Sequence, residues 1–235
     1  MWDDAALLRS IANTLYMLCA LMVMYGAVHY VMHMPTLLPL QSVRLKEKPQ
    51  RVMASNVMRV VREDVRGNLF TADIEQVRAS LEALPWVRKV SIRREFPNSL
   101  VVDLEEHQAL ARWNGSMLVN KFGEVFVAET EEALPEFQGP DGAAAEVAAH
   151  YEQFTSQLAA VDMGMSKLTL SARHAWQLSL SNGVMLELGR EEMQQRLERF
   201  TQVYSYSLAT RMGKLKYVDM RYRNGFAVGG LAGQG

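Results

Sequence analysis

Eighteen consecutive residues, 15–32 (LYMLCALMVMYGAVHYVM), contain no Asp, Glu, Lys or Arg, and this run constrains the chain more than any other feature. Widened to residues 11–34, the apolar segment is long enough, as a helix rising about 1.5 Å per residue, to cross a hydrocarbon core of about 30 Å. A cleaved signal peptide would have an apolar core of only about 7–15 residues and an A-x-A-like site after it. None is evident, so residues 11–34 read as an uncleaved signal-anchor. Tyr25 and Tyr30 fall where aromatic rings suit the headgroup region, and Pro35 and Pro39 are expected to stop the helix. Orientation is less sharply written. Arg9 precedes the span against Asp3 and Asp4, whereas Arg44, Lys46, Lys48 and Arg51 follow it. Positive charge alone would favour a cytoplasmic C-terminal side, although long folded domains translocate regardless of charge. The residues after the anchor contain no cysteine, which suits an extracytoplasmic compartment.

Two domains follow. In the first, residues 39–106, Val43 and Leu45 alternate as in a strand. Ser55 is placed to cap a helix carrying Val57, Val60, Val61 and Val65, and a second helix starting at Thr71 carries Ile74, Val77, Leu81 and Leu84. Val90 and Ile92, then Leu100, Val102 and Leu104, alternate on either side of a turn at Phe96-Pro97-Asn98-Ser99. The order is β-α-α-β-β. The second domain, residues 107–228, reads as mostly antiparallel strands with two helices. Asn114-Gly115 and Asn182-Gly183 are hairpin turns between strand-like runs, and Lys121-Phe122-Gly123 is a third turn candidate. Val147, Tyr151, Phe154, Leu158 and Val161 form one helical stripe, and Met193, Leu197, Phe200 and Tyr204 another. A last long strand is expected over 214–222, then a short one at Phe226-Ala227-Val228. Residues 229–235 read as a frayed, Gly-rich tail. The fold class is therefore α+β behind a membrane anchor.

Chemistry leaves no comparable signature. Lys and Arg number 25 against 26 Asp and Glu, and neither domain departs far from neutrality: residues 43–106 hold 12 basic and 10 acidic side chains, residues 107–235 hold 12 and 14. That balance argues against a nucleic-acid partner. One cysteine, Cys19, excludes an intramolecular disulfide framework and cysteine-rich metal sites. No G-x-S-x-G, H-E-x-x-H, P-loop or helix-opening G-x-G-x-x-G is present. His107, His150 and His174 read as isolated residues rather than one metal site. His29 and His33, at i and i+4 on the anchor, could face haem or a metal, but interfacial placement is the simpler reading. Glu105 and Glu106 point to opposite faces of a strand and cannot act together. Arg88, Lys89, Arg93 and Arg94 form a basic run that Asp103, Glu105 and Glu106 can pair across the hairpin. Asn114-Gly115-Ser116 fits a glycosylation sequon, but it is read as a turn. No catalytic residue, metal or cofactor is expected.

The run from Leu84 to Pro97 (LPWVRKVSIRREFP) resembles the second-strand region of a POTRA domain. Behind a signal-anchor, it is similar to the FtsQ/DivIB family of bacterial cell-division proteins. Further blocks agree in order: Ala111-Arg112-Trp113-Asn114, Gly139-Pro140-Asp141-Gly142, Ala175-Trp176-Gln177-Leu178, Leu188-Gly189-Arg190, Arg196-Leu197-Glu198-Arg199-Phe200, and Tyr217-Val218-Asp219-Met220-Arg221-Tyr222. The resemblance implies a cytoplasmic tail (residues 1–10), one pass through the inner membrane as a type II protein, a periplasmic POTRA domain (39–106) and a β domain (107–228). It further implies a non-enzymatic divisome scaffold at the septum that binds FtsB and FtsL and links early to late division proteins.

The residues themselves suggest how a partner would attach. The strand at 215–222, as the last long element, is expected at a sheet edge that a partner segment can extend. By the resemblance, FtsB adds there, and the matching positions are Arg221, Tyr222, Asn224, Gly225 and Val228, with Arg173 on the neighbouring strand. A second edge is expected at residues 90–94, with Val90, Ile92 and Arg94 as candidate contacts for other divisome proteins. Two rival classes stay open: a POTRA-type assembly or secretion component, for which long barrel segments are lacking, and a membrane-anchored hydrolase whose site forms only in three dimensions, around His107 or His174.

Overall fold

A computed structural model describes residues 5–32, 40, 42–65, 68–69, 71–209, 215–223 and 225–230. The chain divides into two compact units, Met1–Glu106 and His107–Gly235. The first begins with α1 (Ala5–Met32), whose segment Leu8–Val31 is, among the described residues, the one helix long and apolar enough to cross a membrane. Its Leu15, Met22, Val23 and Tyr25 side chains all stand exposed, as a lipid-facing helix requires. His33, Pro35 and Pro39 lie outside the described residues.

The rest of this unit follows the expected order: β1 (Ser42–Leu45), α2 (Ala54–Asp64), α3 (Ile74–Glu82), β2 (Val87–Glu95) and β3 (Ser99–Glu106). The three strands lie in the order β1-β3-β2, with β1 parallel and β2 antiparallel to β3. Val57, Val60 and Val61 of α2 and Val77 and Leu81 of α3 turn their spaced apolar stripes inward, onto Val90, Leu100 and Val102 in the same core. Ile92 is only half-buried.

Both helix starts differ from expectation. Met53, not Ser55, occupies the N-cap of α2, and it makes no side-chain cap bond. Thr71 does not open α3, because it is tied into a turn: its N–H donates to Asn68 Oδ1 at 2.9 Å and its hydroxyl accepts from Asn68 N at 3.0 Å. The helix starts three residues later, where Asp73 Oδ1 accepts the Gln76 N–H at 3.0 Å and satisfies an otherwise orphaned donor. Arg88 pairs with Glu105 at 2.6 Å. Glu106 instead accepts the backbone N–H groups of Gln50, Arg51 and Val52 at 2.8–2.9 Å, so it serves the loop before α2 and not the basic run.

In the second unit the chain runs β4 (Ala109–Trp113), β5 (Met117–Asn120), β6 (Val125–Phe126), β7 (Glu136–Gln138), α4 (Ala144–Ala159), β8 (Met165–Leu170), β9 (Trp176–Leu180), β10 (Met185–Gly189), α5 (Met193–Val203), β11 (Tyr217–Asp219) and β12 (Ala227–Gly229). These strands form one nine-stranded sheet in the order β12-β11-β10-β9-β8-β7-β4-β5-β6. Five of the pairings are antiparallel and three parallel, so the sheet is mixed. Hairpins close at Asn114-Gly115 and Asn182-Gly183, as expected from the sequence. Alternation then sorts the faces. Leu168, Leu178, Leu186 and Val218 are buried with Val147, Phe154, Leu197 and Phe200 of the two helices, while Lys167, Gln177, Ser179 and Glu187 take the other side.

The C-terminal end corrects two expectations. Lys214 lies outside the described residues, and of the rest of the strand expected over 214–222 only Tyr217–Asp219 is strand; it is not an edge, because β10 pairs with it on one side and β12 on the other. Its end has a cause: Asp219 Oδ1 accepts the Arg221 N–H at 3.0 Å, turning the chain just past the strand. The true edge is β12, and Gly229, expected in the frayed tail, pairs with Tyr217 inside it.

Candidate docking surface at the sheet edge

β12 reads Ala-Val-Gly: three small residues without charge. Its inner side is held by β11 through Ala227↔Asp219, Val228↔Val218 and Gly229↔Tyr217, and no strand lies on its outer side among the described residues. An edge of this kind leaves backbone donors and acceptors for another chain to pair. Glycine at 229 is dictated by a close approach: a Cβ there would fall 2.3 Å from the Tyr217 ring. Tyr217 therefore lies across the strand on the face opposite the helices, and it is 44% exposed. Val228 is 42% exposed, and Tyr222, on the turn between the strands, is 58% exposed. The Tyr222 carbonyl accepts from Arg199 Nη1 at 3.0 Å, which ties this turn to α5 while the ring stays in solvent.

Arg221 is the most organised side chain here. Its Nε and Nη2 donate to the two oxygens of Asp219 at 2.9 and 2.6 Å, a two-point fork. The Asp219 side chain is 11% exposed and the Arg221 side chain 58%. Gly189, at the end of β10, leaves room for the arginine stem, since a Cβ there would sit 3.2 Å from Arg221 Cγ. The side-chain hydrogen bond from Arg221 is the main reason the Asp219 carboxyl is held below its ordinary range, against an opposing effect of burial. The same pairing raises Arg221. Asp219 thus fixes the guanidinium in place while the Arg221 side chain stays more than half exposed.

Register places the other expected residues. Arg173 is not on a strand. It occupies the exposed turn between β8 and β9, where Ser171 Oγ accepts the Ala175 N–H at 3.0 Å. The pairs Trp176↔Gly189 and Glu187↔Asp219 put that turn at the same end of the sheet as Arg221. Arg173, Arg221, Tyr222 and Gly225 therefore share one end, with Val228 on the adjoining edge. Asn224 lies outside the described residues. Sequence reasoning missed Asp219 as the residue that positions Arg221. The signal was opposite charge two residues apart, at positions 219 and 221.

At the other expected edge, β2 is indeed outermost in its sheet, but its side chains are engaged. Val90 is buried and its N–H donates to Glu82 Oε1 at 3.0 Å. Arg94 donates to the carbonyls of Leu69 and Ala72 at 2.7 and 3.3 Å. Among the described residues no group of three His, Cys, Asp or Glu is arranged to hold a metal. His107 stacks on Phe126 with centroids 4.0 Å apart, and its Nδ1 lies 3.0 Å from Asn120 Nδ2.

Comparison with known proteins bears on the whole chain. A family model described as the C-terminal part of cell division protein FtsQ/DivIB matches residues 111–221, and one described as a POTRA domain of FtsQ type matches residues 38–107. The cell division protein FtsQ of Nitrosospira multiformis is 40% identical, the alignment covering 98% of this chain and 99% of the relative. The protein of that name from Burkholderia pseudomallei is 35% identical, over 97% of this chain and 94% of the relative. The one from Bordetella pertussis is 33% identical, over 97% and 92%.

Proposed function

We propose that this chain, which belongs to the FtsQ/DivIB family of cell division proteins, is a non-enzymatic scaffold of the divisome that binds the FtsB/FtsL pair by strand addition at β12. The observation that carries the reading is the composition of that edge: an uncharged three-residue strand without an outer neighbour among the described residues, flanked by the exposed Tyr222 and a forked, half-exposed Arg221. Backbone pairing would supply affinity that any extended segment could share. Selectivity would come from Tyr222, a rigid aromatic anchor, and from Arg221 and Arg173 receiving partner carboxylates.

In this reading α1 crosses the inner membrane once, residues 1–10 stay in the cytoplasm, and both folded units work in the periplasm at the septum. Support comes from the uncharged span and from the absence of cysteine after it. A reporter active only in the periplasm, fused after Gly235, is expected to be active, and a cytoplasmic result would remove the scaffold reading. For the edge itself, the test is capture of purified FtsB/FtsL by the full chain. Tyr222→Ala and Arg221→Glu are each expected to weaken capture while the melting temperature stays within a few degrees. Unchanged capture by both would dismiss strand addition at β12.

A further inference from the structure

The two ends of the nine-stranded sheet carry opposite charge. Residues 215–223, which contain β11, hold three Lys or Arg and one Asp, whereas residues 121–136, around β6, hold five Glu and one Lys. β6 is the outermost strand of the acidic end, paired on its inner side through Leu118↔Phe126 and Val119↔Val125. The hairpin that carries it is firmly held. The buried Asn120 accepts the N–H groups of Phe122 and Glu124 on its Oδ1 at 2.9 and 3.0 Å, and the tip at Gly123 is seated on Ala145, at the start of α4.

Three apolar side chains on this rim are nevertheless exposed: Phe122 by 52%, Val125 by 39% and Val127 by 73%. Val125 takes the helix side of the sheet with its cross-strand neighbour Val119, which is fully buried. The helix layer covers Val119 and leaves Val125 half uncovered. Beyond Val127 the chain crosses to β7, pinned where Arg112 Nη2 donates to the Thr130 carbonyl at 2.7 Å, and it carries the exposed Glu129, Glu131 and Glu132.

We propose that the β6 edge is a second docking site, for an extended partner segment in which apolar residues alternate with Lys or Arg. Edge backbone groups pair the segment, its apolar side chains cover Val125 and Val127, and its cations face the exposed Glu129, Glu131 and Glu132. The occupant is not the β12 edge of a second copy, because Ala-Val-Gly brings no cation within the strand to meet that acidic rim. This site is independent of the β12 reading, since it lies at the opposite end of the sheet.

The test uses the full chain in phosphatidylcholine nanodiscs and two labelled eight-residue peptides, one alternating Val with Lys and one alternating Val with Glu, followed by fluorescence anisotropy. The Val/Lys peptide is expected to bind saturably, and the Val/Glu peptide at least about tenfold more weakly. Val127→Lys, and separately the double change Glu131→Lys with Glu132→Lys, are expected to weaken the Val/Lys peptide about tenfold or more, while Tyr222→Ala leaves it unchanged. Both sites are exposed, so these variants keep the fold. Equal binding of the two peptides, or loss with Tyr222→Ala but not with the rim variants, would overturn the proposal. So would sedimentation showing that the wild type self-associates and that Val127→Lys abolishes it, because the occupant would then be a second copy.

Discussion

β2 and β12 are both edge strands, yet the side chains around them are arranged differently. β2 runs for nine residues and would be the more dangerous template for unwanted pairing by length alone. Glu82 of the neighbouring α3 takes its Val90 N–H, and its arginines are engaged, Arg94 with two carbonyls and Arg88 with Glu105. β12 has three residues, no charge and, among the described residues, no strand on its outer side. What surrounds it instead is Tyr217 laid over Gly229, the exposed Tyr222, and Arg221 held by Asp219. The contrast teaches that edge status alone does not make a docking site. What matters is whether neighbouring side chains consume the edge or frame it.

The difference can be broken from either side. The largest effect is expected at α3, which supplies the cover of β2. Leu81 is fully buried there, and Leu81→Ala should lower stability by about 2–5 kcal/mol in urea unfolding of the full chain. A loss below about 0.5 kcal/mol, the range of surface changes, would mean that α3 does not hold that edge as described. Next is Tyr222→Ala, expected to cost at least about 2 kcal/mol of FtsB/FtsL binding by calorimetry, or about thirtyfold in Kd, with little change in melting temperature. Arg221→Glu comes third. It removes the fork and sets a like charge beside Asp219, and a weakening of about tenfold is expected, shrinking as salt is raised.

The smallest effect concerns pH. The folded-state pKa of Asp219 is lowered, mainly by the Arg221 hydrogen bond, so its contribution to stability is complete above the ordinary carboxyl value of about 4. It is lost as the pH falls through the lowered value. Because the Arg221 side chain is 58% exposed, the contribution should not exceed about 1 kcal/mol. Wild type and Asp219→Asn should therefore differ slightly at pH 7 and converge as the pH falls through the lowered Asp219 value. A gap that widens on acidification would contradict the pairing.

Local signals made much of this architecture readable before any coordinates. The charge-free run marks α1, apolar spacing marks the helices of both units, and Asn-Gly marks two hairpins. Long-range pairing left no such mark. β7 is three residues inserted parallel between β4 and β8, and nothing in Glu-Phe-Gln announces a central strand. The edge was misplaced for the same reason. Ala-Val-Gly is too short to show alternation, and the turn that delivers it depends on one carboxylate folding back at Asp219. The resemblance puts Arg173 on a strand, whereas it sits in a turn that Ser-Ala-Arg-His-Ala, without Gly or Pro, does not announce and that the Ser171 hydroxyl holds. The aromatic and arginine candidates were visible as residue types, whereas their framing by Gly189, Gly229 and Asp219 required the fold.

The central claim is that a partner strand adds to β12 and not to β2. Amide hydrogen exchange on the full chain, with and without purified FtsB/FtsL, tests it directly. Slowed exchange over residues 225–230, with residues 87–95 unchanged, is the expected result. Protection of residues 87–95 while 225–230 exchange as before would contradict it.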